Sequence, residues 1–470
     1  MSERTPGQVD RSPIFEGDQP PRACLTYSLK LLLSAGLSWG ALSCAPEARA
    51  APSPTASDAL RGADVARESE PQTAAPPTSD PAAAELPPVR PWELGGLPLL
   101  NYSSQNGFGY GAYAAVFHRK ERPRLGRPYE FSIGAQYYAT TGGFEYHRVR
   151  VDVPSLPRGM RFRFLGAIER WTQAIYLGPD EQLAVDLSRP EGDYQYQQES
   201  LWFLPSLRIP LSERLSLFQR VTYRDTEASS GSSSLLTELR PDGWEGGRLL
   251  QLELGAFWDA RDTEPCTTQG FATELSLRGG HEALGSSGSS WGWNLSHRHW
   301  WRLAGPRLVL ALRLTFDQQG GWVPFFQQHT LGGSEPIEIG GSRALRGFRN
   351  GRFRGRETLY GSVELRAELG STSLYERQVD FLIVPFLDWG KFWDEALPEE
   401  RLEGLARSSG TGWRRPPRIG FGAGPRLVFE KIFVLRFELA WGLEERRQGP
   451  DGTLDYALTQ QFYAIAHHPF

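Results

Sequence analysis

At 470 residues the chain has room for two or three ordinary soluble domains, or for one large barrel that uses most of its length. Its 51 basic and 55 acidic residues are evenly mixed and leave a net charge of -4, which gives no electrostatic footprint for a nucleic-acid partner. A mean hydropathy of -0.42 with 12% aromatic residues is too aromatic for disorder and too polar for a helical membrane protein; it suits a transmembrane β-barrel, whose outward and inward residues alternate and cancel.

The first 50 residues read as a cleaved secretory signal. Arg22 and Lys30 precede the apolar segment Leu31 to Ser43, and Ala48-Arg49-Ala50 supplies small residues where a signal peptidase cuts. Cys44, after Ala41-Leu42-Ser43, is a competing lipoprotein-type site. Cys24 falls in the leader, so Cys266 is the thiol left in the body of the protein and no internal disulfide is expected. Residues 51–92 are rich in Pro and Ala, with no aromatic residue between Ala51 and Pro91, and read as a disordered linker.

From residue 93 to residue 470 short alternating segments are separated by Gly, Pro, Ser and Asp clusters, the pattern of many antiparallel strands. The basic stretch His118 to Arg122 is interrupted by Glu121 and reads as a solvated loop. Serine-rich 229–234 and 286–290 read as loop tips, and neither forms a Gly-x-Ser-x-Gly nucleophile turn. Leu250–Ala256, Leu308–Phe316 and Phe433–Leu439 each carry one apolar face and one largely polar or small face. A soluble sandwich would turn the apolar face inward, whereas a membrane barrel would turn it to lipid. Trp291, Trp293, Trp300, Trp301 and Trp322 resemble an interfacial aromatic girdle. His297 and His299 sit two apart on a strand without an evident third ligand, so no metal or other cofactor is expected. No phosphate-binding loop or zinc-type cysteine cluster occurs. Asp259 and Asp262 suit a turn better than catalysis, and a non-enzymatic protein is expected.

Four motifs follow one another through this region. The first is Trp258-Asp259-Ala260-Arg261-Asp262 with Pro265 and Gly270; the second is Leu331-Gly332-Gly333 with the glycine-rich stretch Gly340 to Gly351, which contains Arg346-Gly347-Phe348. The third is the strand Leu359 to Leu369, and the fourth is Phe386-Leu387-Asp388-Trp389-Gly390-Lys391-Phe392-Trp393. As an ordered set they resemble the BamA/TamA-type outer-membrane barrels, the bacterial surface antigen family. The resemblance implies an all-β fold, a single transmembrane antiparallel barrel of roughly 16 strands, with the Arg-Gly-Phe loop folded inward. The 378 residues from 93 to 470 then leave about 24 for each strand and its connection.

The same resemblance implies a multi-pass barrel in the bacterial outer membrane, with the linker in the periplasm. That linker is too short for the POTRA modules that precede barrels of the family, so the chain is expected to lack them. Members insert barrel proteins or translocate polypeptides, and a weak seam between first and last strands would place substrate contact near Leu99–Phe117 and Asp455–Phe470. A passive pore or structural surface barrel without assembly activity is the alternative. Implied partners are outer-membrane lipids, the assembly machinery for the protein's own insertion, and protein substrates or a periplasmic partner; a monomer is expected. Phe462 and the terminal Phe470 would serve as the recognition signal for that machinery.

Parity identifies the inner-wall residues. Residues of one parity share a strand face, so Tyr360, Ser362, Glu364, Arg366 and Glu368 go together, opposite a row of Leu, Val, Ala and Gly. Between Phe381 and Gly390 the same reasoning turns Asp388 inward. A planar guanidinium binds two acceptors at once, so Arg346 is expected to pair with Glu364 and Asp388.

Overall fold

The protein is described from a computed structural model, which covers residues 91–118, 129–154, 156–179, 182–264, 266–374, 377–394, 399–408, 415–429, 433–448 and 453–465. The expected signal peptide with Cys44, the linker up to residue 90, Pro265 and Phe470 lie outside the described residues.

Among the described residues sixteen long strands follow one another in chain order. They are β1 Trp92–Ser103, β2 Gly107–His118, β3 Phe131–Thr140, β4 Phe144–Val153, β5 Arg161–Ile175, β6 Gln195–Pro210, β7 Leu215–Ser230 and β8 Gly246–Asp259. The second half comprises β9 Gly270–Gly280, β10 Ser290–Arg302, β11 Leu308–Gly321, β12 Glu357–Leu374, β13 Arg377–Trp393, β14 Arg418–Phe429, β15 Phe433–Gln448 and β16 Thr453–Ile465. Each pairs antiparallel with its chain neighbours, and β1 meets β16, so the sheet closes into a barrel. The barrel begins one residue earlier than the sequence pattern suggests, at Trp92. Among the described residues no helix is long and apolar enough to cross a membrane.

The side-chain distribution is the reverse of a water-soluble barrel. On β8, Leu252, Leu254 and Trp258 are about half exposed, whereas Gln251 and Glu253 are buried. On β11, Leu308, Leu310, Leu312, Leu314 and Phe316 line the outer surface, while Arg313, Thr315, Asp317 and Gln319 are buried inside. Water would select the opposite arrangement, because exposed apolar area costs about 25 cal/mol per Å2; hydrocarbon selects this one.

The same parity corrects the tryptophan girdle. Trp291, Trp293 and Trp301 share an outer face, but Trp300 is buried against Phe218, Phe257, Ala272, Val309 and Ala311 on the inner wall. Adjacent residues on a strand must face opposite sides, so Trp300 and Trp301 cannot both reach the outer surface. Trp322 leaves the wall altogether and packs beneath the loops. His297 and His299 lie on the outer face, with His299 stacked on Trp301 at 4.0 Å.

The ends of the barrel differ. At the end opposite the termini, the connections 176–194, 231–245, 322–356 and 394–417 are long. Tyr176, Leu183, Tyr194, Leu235, Leu236, Leu239, Phe325, Phe326 and Leu402 bring them together into a buried apolar dome. Short strand Val185–Asp186 within this dome runs parallel to Arg446 and Arg447 of β15.

Candidate functional site

The connection 322–356 turns back into the barrel, and its inward course is built into its residues. Thr330–Leu331 and Ile337–Glu338 form a two-residue hairpin ladder. Leu331, Ile337, Ile339, Ala344, Leu345, Phe348 and Phe353 then bury themselves against Tyr360 and Phe392 of the wall. This loop therefore has a core of its own inside the lumen. Leu345 takes a positive φ of 49°, and Gly347 follows with φ 95°. A left-handed leucine is costly and persists where surrounding contacts fix it. Together the two residues aim Arg346 at the wall.

Arg346 is buried at 1% exposure. Its Nε and Nη2 donate to the two carboxylate oxygens of Asp388, each at 2.8 Å, and Nη1 donates to Glu364 at 2.8 Å. The backbone N–H of Arg346 also donates to Asp388, at 2.9 Å, and its guanidinium lies 3.5 Å from the Phe386 ring centroid. Glu364 comes from β12 and Asp388 from β13, both from the inward-facing parity.

Three residues that sequence reasoning did not single out complete the network. Arg426 of β14 donates to Glu364 and to Glu438, and Arg436 of β15 donates to Glu438 at 2.9 Å and to the Ser342 carbonyl at 2.6 Å. Arg426 and Arg436 are cross-strand neighbours. Like charges opposite one another repel, and Glu438 with Glu364 offsets this. The alternation of Phe433–Leu439 puts Arg436 and Glu438 on one polar face, which was the available signal.

Past Arg346 the loop lies flat on the last two strands. A Cβ at Gly347 would run into the backbone of Trp441, and one at Gly442 would come within 2.6 Å of the Phe348 ring. Gly347 N–H donates to Tyr463 Oη at 3.2 Å, and Thr459 Oγ1 donates to the Gly347 carbonyl at 2.6 Å. Tyr463 and Thr459 belong to β16. The other limb of the loop meets the opposite wall. Gly332 and Gly333 N–H groups donate to Asp317 and Glu253, Ser334 donates to Glu274, and Arg163 of β5 reaches Glu335 at 3.3 Å. Along β1–β4, Asn350 N–H donates to Gln105, in the β1–β2 turn, at 2.6 Å.

β1 and β16 meet through two residue pairs, Tyr102 with Ala464 and Ser103 with Tyr463, whereas β1 and β2 pair along all twelve residues of β1. Phe462 faces outward beside this seam, its ring centroid 6.3 Å from that of Tyr102, and its N–H donates to Ser104 Oγ.

Asp259, Arg261 and Asp262 are not brought to the Arg346 network. They occupy the β8–β9 turn, where Asp259 takes a bidentate contact from Arg261 at 2.8 and 2.7 Å. Asp262 accepts from Thr268 and Arg302. Burial would raise the Asp262 pKa, but the Thr268 hydrogen bonds, with help from Gln269 and Arg302, hold it below the usual carboxylate range. Gly270, with φ 106°, sits where a Cβ would meet the Ala260 carbonyl.

A model of the Omp85 superfamily domain matches residues 124–464. Among solved structures, BamA from Haemophilus ducreyi lacking POTRA domains 1-3 is similar, with a TM-score of 0.53 at 14% identity, over 79% of this chain and 69% of that one. CdiB from Escherichia coli gives a TM-score of 0.50 at 12% identity, over 81% of this chain and 64% of that one. At such identities the likeness is one of fold. No curated protein matches the chain.

Proposed function

The chain belongs to the Omp85 superfamily, and from that premise we propose that it resides in the bacterial outer membrane and assists the insertion or translocation of polypeptides there. The observation that carries this reading is a two-pair seam beside a lumen loop that hydrogen-bonds the seam strand through Thr459 and Tyr463. Interior ion pairs hold the loop in place, and the lumen they fill suits a gated barrel rather than free diffusion. The apolar outer face favours lipid, and the protein would act without cofactor or catalysis, as a monomer, on protein substrates delivered by a periplasmic partner.

Single-channel conductance in planar bilayers tests the gate. Wild type should give small, flickering conductance, and Arg346→Ala a large and steady one; a large steady pore in both proteins would favour a passive pore. A second experiment tests the seam. With Cys266 replaced by serine, cysteines at positions 102 and 464 are oxidised into a cross-link, and insertion of an unfolded barrel protein into vesicles is compared before and after reduction. Insertion that appears with reduction supports the proposal, and insertion indifferent to the cross-link overturns it.

A further inference from the structure

Between the folded-in loop and the walls of β1–β9 and β16 the lumen keeps a cavity of about 420 Å3, within the size range of small-ligand sites. Aromatic residues dominate one side: Tyr138, Tyr146, Trp171 and Trp202 line it, with Tyr146 and Trp202 ring centroids 6.0 Å apart. Among the described residues the Trp202 indole N–H is buried without a hydrogen-bond acceptor. Such a group calls for a partner. Asn101 and Gln461 add side-chain amides.

The charges in the lining are unequally matched. Arg220 pairs with Glu253, Arg278 with Asp317, and Arg224 lies 4.0 Å from Glu169. Arg148, from β4, and Arg343, from the loop three residues before Arg346, have no salt bridge among the described residues. Among the described residues the Nε of each is buried without a hydrogen-bond partner. Two guanidiniums without a salt bridge among the described residues therefore flank an aromatic and amide-rich space, Arg148 resting over the Tyr146 ring. The lining carboxylate Glu338 is taken up by His329 and Asn350.

This combination selects a chemistry. A lipid tail would leave both guanidiniums unanswered, and a bare inorganic anion would leave the aromatic faces uncovered. A sugar ring presents apolar C–H faces to aromatic rings and hydroxyls to amides and indole N–H groups; a carboxylate or phosphate on it answers an arginine fork. We propose that the cavity beside the Arg346 loop is a binding site for an acidic sugar, held by Arg148 and Arg343 and stacked on the Tyr146–Trp202 side. Because Tyr102, Ser103 and Tyr463 also line the cavity, the site borders the seam. The sugar then has two sources, a soluble oligosaccharide or a glycolipid headgroup.

Isothermal titration calorimetry on the full-length folded barrel in detergent distinguishes them. The probes are trigalacturonic acid, neutral maltotriose, triglutamate and micellar lipid A. Trigalacturonic acid should bind at least about tenfold more tightly than maltotriose or triglutamate, a difference of about 1.4 kcal/mol. Binding of lipid A in its place supports the glycolipid source. Arg148→Gln and Arg343→Gln should each weaken the acidic probe by about tenfold or more, and Trp202→Phe should weaken maltotriose and trigalacturonic acid alike. A heat-dependent shift in gel mobility confirms that each variant is a folded barrel. The proposal fails if triglutamate binds as tightly as the acidic sugar that binds, if both glutamine variants bind like wild type, or if neither trigalacturonic acid nor lipid A binds.

Discussion

Arg346 meets Asp388 through two parallel N–H donors and Glu364 through a third, a geometry that an ammonium group cannot reproduce. Arg346→Lys should therefore behave much like Arg346→Ala. Either change removes the fork that answers Asp388 inside the wall, while Arg426 still holds Glu364 and Glu438. Removing one partner of a buried pair costs about 3–5 kcal/mol, and lumen water reduces this; denaturant unfolding of the folded barrel in lipid measures the loss. Asp262 supplies a pH-dependent counterpart at the β8–β9 turn. Its folded-state pKa is depressed, so its contribution is present above the unfolded value and fades as pH falls through the folded one. Amide exchange in 260–270 should accelerate in wild type below about pH 4, whereas Asp262→Asn should show faster exchange already at neutral pH. Parity alone puts Glu364 and Asp388 on the inner face, where the structure has them. Arg426 and Tyr463 were not legible, because five strands must close around the loop before either has anything to touch.

At the level of elements, the seam is the thinnest joint of the sheet. β1 shares two residue pairs with β16, while β12 is paired along both edges. Exchange of backbone amides follows local opening, so β1 should lose protection well before β12 in hydrogen-exchange measurements on the folded protein; equal protection would contradict a weak seam. Outward faces were readable from period-two alternation in segments such as Leu250–Ala256 and Leu308–Phe316, whereas the strand number came from the family resemblance. The register at closure was not, since it is set by the accumulated stagger of all sixteen strands rather than by β1 or β16 alone. The tryptophans show the same division: type suggested an interface, but position parity sends Trp300 inside.

On the scale of the whole molecule, the dome of loops and the inserted loop close one end of the lumen in two layers. Leu236 and Leu239 are wholly buried in the dome although they belong to a five-residue helix, so packing rather than helix propensity holds them. Leu236→Asp would bury an unpaired carboxylate there and should open the dome, which faster protease cleavage of its loops in the detergent-folded barrel can read. Such an assembly of distant loops has no local sequence signature.

The placement of the loop contacts also divides the barrel mechanically. Arg346 and its neighbours tie β12–β16 into one charged, cross-braced block, and Gly332 to Glu335 fasten the walls from β5 through β11. Strands β1–β4 touch the loop at the Gln105 corner. They are thus the leaf of a door whose jamb, β16, is bolted to the frame. If the seam parts, it is the β1 hairpin that swings, and the free edge offered to an incoming chain is the one that moves.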